Sequence, residues 1–107
     1  MSKRINLNAD LGESFGAWGM GDDEAMLQLV DSANIACGFH AGDPATAAAT
    51  LRAAARHGVQ AGAHPGFADR EQFGRRELVL PETQIHEETI YQVGALIALA
   101  RSAGWAI

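Results

Sequence analysis

The chain has 107 residues, enough for one small domain and too few for two. With 48% hydrophobic and 20% charged residues it has a globular composition, which excludes a disordered or collagen-like chain. The net charge of -5 is opposite to that of a nucleic-acid binder, and no apolar run is long enough to span a membrane. The single cysteine, Cys37, cannot form an internal disulfide. We therefore expect a soluble, cytoplasmic protein that binds neither nucleic acid nor membranes.

The first half of the chain alternates short strands with helix signals. Ile5 to Ala9 carries apolar side chains at every second position, which predicts a first strand. After a glycine-rich loop, acidic residues suited to a helix start predict a helix over Asp23 to Asp31. Ser32 to Cys37 has small side chains and predicts a second strand. Asp43 can cap a helix that begins with proline, so a second helix is expected over Pro44 to His57.

The second half continues this alternation. Gly58 is suited to end the second helix in a left-handed conformation, and Val59 to Ala63 predicts a third strand. Apolar residues recur at three- and four-residue steps over Pro81 to Ala103, which predicts an amphipathic helix. Gly104 ends that helix, and Trp105 to Ile107 predicts the start of a fourth strand. About four strands and three helices in this order indicate an α/β fold with parallel strands and crossover helices.

The predicted elements form a single domain over residues 1–107 that resembles a truncated barrel. A complete (β/α) barrel takes about 250 residues, and this chain stops inside an apolar segment with no helix to cover it. A small complete domain would leave that apolar strand at an exposed edge. We therefore expect the N-terminal portion of a (β/α) barrel.

Polar side chains gather where each predicted strand ends. The carboxyl ends of parallel strands meet at one face, and that face holds the site in α/β folds. The turns at the opposite end carry ordinary helix caps. The strand exits carry groups that can move protons, bind anions or ligate metals: Asp10, Glu13, His40, Asp43, His64, Arg75 and Arg76.

Asp10, His40 and His64 are the candidate catalytic residues. They could form an acid–base cluster or a two-histidine, one-carboxylate metal site. Because no local motif such as H-E-x-x-H is present, each histidine could equally be a polar loop residue bonded to the backbone. Asp10 favours function, since it follows an apolar strand where there is no helix to cap.

The remaining strand-exit residues are candidates for binding substrate. Asp43 is first a helix cap, and an exposed loop glutamate such as Glu13 is more often simply solvated. Arg75 and Arg76 could hold a carboxylate or phosphate through their planar guanidinium groups. They could instead form a surface pair with neighbouring glutamates. The glycine-rich segment Gly12 to Gly21 lacks both common phosphate-loop motifs, so it gives only weak support for ATP binding.

Five runs of sequence are very similar to the LamB/YcsF family, in order and over almost the whole chain. They are Leu7 to Gly16, Ser32 to Pro44, Gly62 to Gly66, Phe73 to Arg76, and Tyr91 to Leu96. The resemblance implies a variant barrel of the glycoside hydrolase/deacetylase type. It also implies a 5-oxoprolinase activity, the ATP-dependent hydrolytic opening of the lactam 5-oxoproline (pyroglutamate) to L-glutamate. Family members continue beyond Ile107, so the isolated chain is expected to be inactive.

The resemblance further implies ATP as a nucleotide cofactor and 5-oxoprolinase subunits B and C as partners. Under this activity, Asp10 or His64 would be the general base and His40 its partner or a ligand to a divalent metal. The remaining strand-exit residues would bind substrate: Glu13, Asp43, Arg75 and Arg76. Two alternatives stay open, a non-catalytic component that presents substrate and a metal-dependent hydrolase of the deacetylase type.

Overall fold

A computed structural model describes residues 3–16, 19 and 22–107 of the chain. Its strands form one parallel sheet and lie side by side in chain order, with Ala9 opposite Ala33 and Ala33 opposite Ala61. This arrangement confirms the predicted α/β fold with crossover helices. The elements in chain order are β1 (Asn8–Leu11), α1 (Asp23–Leu27), β2 (Ser32–Ala36), α2 (Pro44–His57), β3 (Gln60–His64), a 3-10 turn (Arg70–Gln72) and α3 (Glu82–Ser102).

The second helix has the bounds that its end signals predict. The Asp43 carboxylate accepts a hydrogen bond of 2.7 Å from the Thr46 N–H, and Pro44 occupies the first turn, where its missing N–H costs nothing. Gly58 ends the helix with φ of 65°, a left-handed conformation that glycine adopts without strain. Local capping chemistry therefore fixes both ends of α2.

The first strand begins later than predicted, and the first helix ends earlier than predicted. β1 begins at Asn8 rather than Ile5, because its partner β2 begins at Ser32 and leaves the earlier residues without a ladder. The Leu7 carbonyl accepts instead from the N–H groups of Asp31 and Ser32, and Ile5 stays 81% exposed. α1 ends at Leu27 rather than Asp31, where the chain tightens into a turn that leads to β2.

The prediction of a fourth strand at Trp105 to Ile107 is wrong. The Trp105 backbone N–H bonds to the Ala100 carbonyl at 2.9 Å and so completes the end of α3. Its indole N–H donates to the Val59 carbonyl, also at 2.9 Å, which holds the ring beside β3. The Trp105 ring therefore packs against the core, whereas Ile107 at the end of the segment is 42% exposed.

The two faces of the sheet differ in chemistry. Apolar residues that alternate along the strands pack with the helices in a core of small and branched side chains, among them Ile35, Leu51 and Leu96. No helix in the described ranges is both long and apolar enough to cross a membrane. On the other face the Asn34 amide donates to Asn8 at 2.7 Å and to Asp10 at 3.1 Å. A row of hydrogen-bonded polar side chains therefore runs along the strands to their carboxyl ends.

Candidate functional site

A cavity of about 460 Å³ opens at the carboxyl ends of the strands. Asp10 reaches it from β1, His40 from the loop after β2, and His64 from the end of β3. The other walls come from the loops after β1 and β3 and from the first half of α3. They are formed by Glu13, Pro65, Gly66, Phe67, Phe73, Gly74, Arg75, Ile85, Glu88, Thr89 and Gln92.

The three candidate catalytic side chains form one cluster. The rings of His40 and His64 lie 4.5 Å apart between centroids, tilted by 55°. His64 Nδ1 lies 3.6 Å from Asp10 Oδ1, and that same oxygen accepts the Asn34 amide. Three separate strand exits therefore deliver their polar groups to one place, the arrangement on which the predicted site depends. Their chemical roles stay predictions.

Ring nitrogens in this cluster lack hydrogen bonds. His40 is only 4% exposed, yet neither of its ring nitrogens has a hydrogen-bond partner among the described residues, and the same holds for Nδ1 of His64. A buried polar atom without a partner is costly, and such atoms in native structures call for an explanation in function or in a bound molecule. These nitrogens therefore lie buried beside the cavity with unused hydrogen-bonding capacity.

Burial shapes the charge of the site. It lowers the pKa of His40, and a charge on neighbouring His64 would lower that pKa further. Both effects favour the neutral imidazole of His40. Burial also raises the pKa of Glu13, with the Asp10 carboxylate adding to the rise. Arg75 contributes a guanidinium to the same lining, so the cavity can hold an anionic group beside a paired carboxylate and imidazole.

Two of the predicted binding residues lie outside the cavity lining. Asp43 caps α2 and also accepts a 2.7 Å hydrogen bond from the Gly16 N–H, and these backbone bonds lower its pKa. The Arg76 guanidinium lies 3.0 Å from Glu71 and 3.5 Å from Asp69. Both side chains already have partners, and for Arg76 this includes the glutamate contact of the surface-pair alternative.

Gln92 is a cavity residue that the sequence did not single out for the site. In the structure it is 2% exposed and its amide bonds both backbone groups of Gly66. One signal was present, because Gln92 lies four and eight residues before Leu96 and Ala100 and so shares their buried row.

Metal binding has little geometric support. In the part of the chain that the structure describes, no three His, Cys, Asp or Glu side chains are arranged to hold a metal ion. His40 and His64 contact each other as tilted rings. The acid–base and the metal-binding interpretations of Asp10, His40 and His64 therefore both stay predictions from the sequence.

A parallel sheet with crossover helices and a cavity at its strand exits defines an α/β protein of the (β/α) barrel type. More specifically, the chain belongs to the LamB/YcsF family, whose model matches residues 5–107. A solved structure of similar fold is the lactam utilization protein from Thermus thermophilus. It superposes with a TM-score of 0.94 at 46% identity, over 98% of this chain and 42% of that one.

Curated relatives agree with this family. The chain is 58% identical over 104 residues to the A subunit of a 5-oxoprolinase from Methylococcus capsulatus, covering 97% of this chain and 40% of the relative. It is 54% identical over 101 residues to the corresponding A subunit from Ruegeria pomeroyi, covering 94% of this chain and 40% of the relative. The chain thus spans about two fifths of the length of these relatives.

Proposed function

We propose that the chain is part of the A subunit of a 5-oxoprolinase, which couples ATP hydrolysis to the opening of 5-oxoproline to L-glutamate. The names of the relatives and of the lactam utilization protein support this assignment. The observation that carries it is the pair of contacting imidazoles in the cavity, with unbonded ring nitrogens and a carboxylate beside them. Such a cluster suits proton transfer to and from water and an amide.

Opening a lactam adds water across an amide bond. The hydroxyl group of water bonds to the carbonyl carbon, the carbon–nitrogen bond of the ring breaks, and the ring nitrogen gains a proton. An amide resists this reaction at pH 7, and ATP supplies the activation of the carbonyl oxygen when it is bound. What the protein must add is a base for the water, a proton for the nitrogen and a firm hold on the substrate.

His64 is suited to act as the general base. Its Nδ1 lies 3.6 Å from Asp10 Oδ1, so a carboxylate stands beside the ring that would take a proton from water. The Asn34 amide donates to Asp10 Oδ1 and holds the carboxylate in place. His40 packs against the His64 ring as its partner in the cluster, and its lowered pKa favours the neutral imidazole.

Glu13 and Arg75 complete the proposed chemistry. Burial and the neighbouring Asp10 carboxylate raise the pKa of Glu13, a direction that suits a group donating a proton toward the ring nitrogen. Arg75 lines the cavity, and its planar guanidinium is suited to a substrate carboxylate. Phe67, Phe73 and Ile85 offer apolar walls for the ring methylenes.

The proposal includes partners. The relatives are named as the A subunit, and we propose that subunits B and C join this chain's full-length form and share the binding of ATP. No phosphate-loop motif is present in the chain. The proposed division gives this chain the water and lactam chemistry.

The test uses the full-length protein in complex with its partners. Asp10→Asn, His40→Ala and His64→Ala are each expected to lower glutamate release about 100- to 10,000-fold, the usual range for an acid–base group, while assembly is unchanged. His86→Ala is the matched control, because His86 is exposed on α3 outside the cavity lining. Normal turnover in all three cavity variants would refute the assignment.

A further inference from the structure

The Gln92 side chain joins α3 to the turn that follows β3. Its Oε1 accepts the Gly66 N–H at 2.9 Å, and its Nε2 donates to the Gly66 carbonyl at 3.0 Å. The same Nε2 also donates to the Glu88 carbonyl at 3.0 Å. With 2% exposure, the amide is held almost entirely by protein groups. Gln92 therefore clamps both backbone groups of one residue in the cavity wall.

The orientation of this amide is determined by its partners. If oxygen and nitrogen exchanged places, the oxygen would face two carbonyl oxygens and the NH2 group would face the Gly66 N–H. The observed orientation satisfies all three contacts. A methionine would fill a similar volume but make none of them, and a glutamate would keep only the acceptor.

The clamped residue lies against a candidate catalytic ring. A Cβ atom at Gly66 would come within 2.7 Å of His40 Cγ and 2.9 Å of His40 Cβ, and closer still to Nδ1. Real Cβ atoms essentially never make such contacts, so the Gly66 backbone lies directly on the imidazole. His64, two residues earlier in the same segment, contacts the other side of the cluster. Movement of Gly66 would therefore displace both histidines.

We propose that Gln92 is a positioning residue that fixes the His64–Gly66 turn and, through Gly66, the ring of His40. The inference rests on the proposed function, in which these two imidazoles move protons. Gln92 itself does not touch the reacting atoms, since its polar atoms are all used by the backbone. Its contribution is to hold geometry, and a displacement of about 1 Å near reacting groups costs on the order of 100-fold in rate.

The experiment compares Gln92→Met and Gln92→Glu in the full-length protein with its partners. Gln84→Leu is the control, because Gln84 is an exposed glutamine on the same helix outside the cavity lining. Three quantities are measured: kcat and KM for 5-oxoproline, the thermal midpoint, and the imidazole proton signals of His40 and His64 by NMR. The methionine variant is expected to lower kcat about 100-fold with KM changed less than about threefold. Both imidazole signals are expected to shift, whereas the control leaves them unchanged.

The outcomes separate positioning from other effects. An unchanged kcat in a folded Gln92→Met protein, or a reduced kcat with both imidazole signals unmoved, would overturn the inference. If Gln92→Met fails to fold, Gln92→Glu decides, because it keeps one of the three contacts and must still move the imidazole signals. If the parental complex opens no 5-oxoproline, the proposed function fails, while the NMR comparison still tests the positioning on its own.

Discussion

Replacing Gly66 by alanine is the sharpest perturbation of the site that leaves its polar groups intact. The added Cβ would lie 2.7 Å from His40 Cγ and closer still to Nδ1, so the ring or the Gly66 backbone must shift by at least about 0.7 Å to reach an ordinary 3.4 Å contact. A shift of that size predicts a loss of about 30- to 100-fold in kcat, or about 2–2.7 kcal/mol of transition-state stabilisation. Overpacking is expected to cost ~1–3 kcal/mol in unfolding free energy as well.

The assay is glutamate release by the assembled enzyme, with thermal unfolding of the variant protein measured in parallel. Gly94→Ala is the matched control, since Gly94 lies within α3 and a Cβ there meets nothing within 4 Å. That variant should keep kcat and gain up to ~1 kcal/mol of stability, as alanine favours a helix over glycine. A parental kcat in Gly66→Ala would contradict this prediction, because the added atom fits only if His40 or the Gly66 backbone moves.

Three further predictions concern binding and pH. Arg75→Gln is expected to raise KM for 5-oxoproline about 10- to 150-fold by removing a charge-assisted contact of ~1.5–3 kcal/mol. Arg76→Gln should leave KM unchanged, since that side chain pairs with Asp69 outside the cavity; equal KM changes would contradict this. Asp43→Ala should cost ~1 kcal/mol in urea unfolding at pH 6 by removing a helix cap. The pKa of Asp43 is lowered in the folded protein, so its carboxylate stabilises the fold at pH values above the unfolded pKa of ~3.9. That stabilisation is lost as the pH falls through the folded pKa. Asp43→Asn keeps the cap without that pH dependence. Equal stability of the parent, Asp43→Ala and Asp43→Asn would contradict the capping role of Asp43. The pKa of His40 in the folded protein lies below its ordinary value of 6.5. The contribution of His40 to the free energy of unfolding is therefore fully present above pH 6.5 and is lost as the pH falls through the folded pKa. A midpoint at or above 6.5 for His40 in an NMR titration would contradict this prediction. His40→Gln should remove this part of the pH dependence of the unfolding free energy.

Helix ends were predictable from sequence where local chemistry decides them. α2 follows the Asp43-Pro44 start and the Gly58 stop residue by residue. β1 was misplaced because alternation of side chains shows that a strand is possible, whereas its bounds depend on the partner strand. Trp105 to Ile107 looked like a strand for a similar reason, since apolar character does not distinguish pairing from packing.

The site was predictable in outline because parallel topology brings strand exits together. Asp10, His40 and His64 come from three such exits and form the cluster. The sequence did not show which of the two arginines, Arg75 or Arg76, lines the cavity. The chain turns through two left-handed residues just before them, and this turn decides which guanidinium lines the cavity.

Gln92 shows the other limit of sequence reasoning. It lies 26 residues from its partner Gly66, and only the docking of α3 brings the two together. A glutamine within a buried helical row marks a polar group in need of partners, but nothing in the sequence identifies those partners. Long-range contacts that depend on tertiary packing therefore have to come from the structure.

We propose that His64 takes a proton from water in a cavity built by three strand exits. This role is tested by glutamate release from the complete enzyme carrying His64→Ala, measured with and without added imidazole. We expect a loss of at least about 100-fold, with part of the activity restored by imidazole occupying the vacated space. Turnover at the parental rate without imidazole would contradict it.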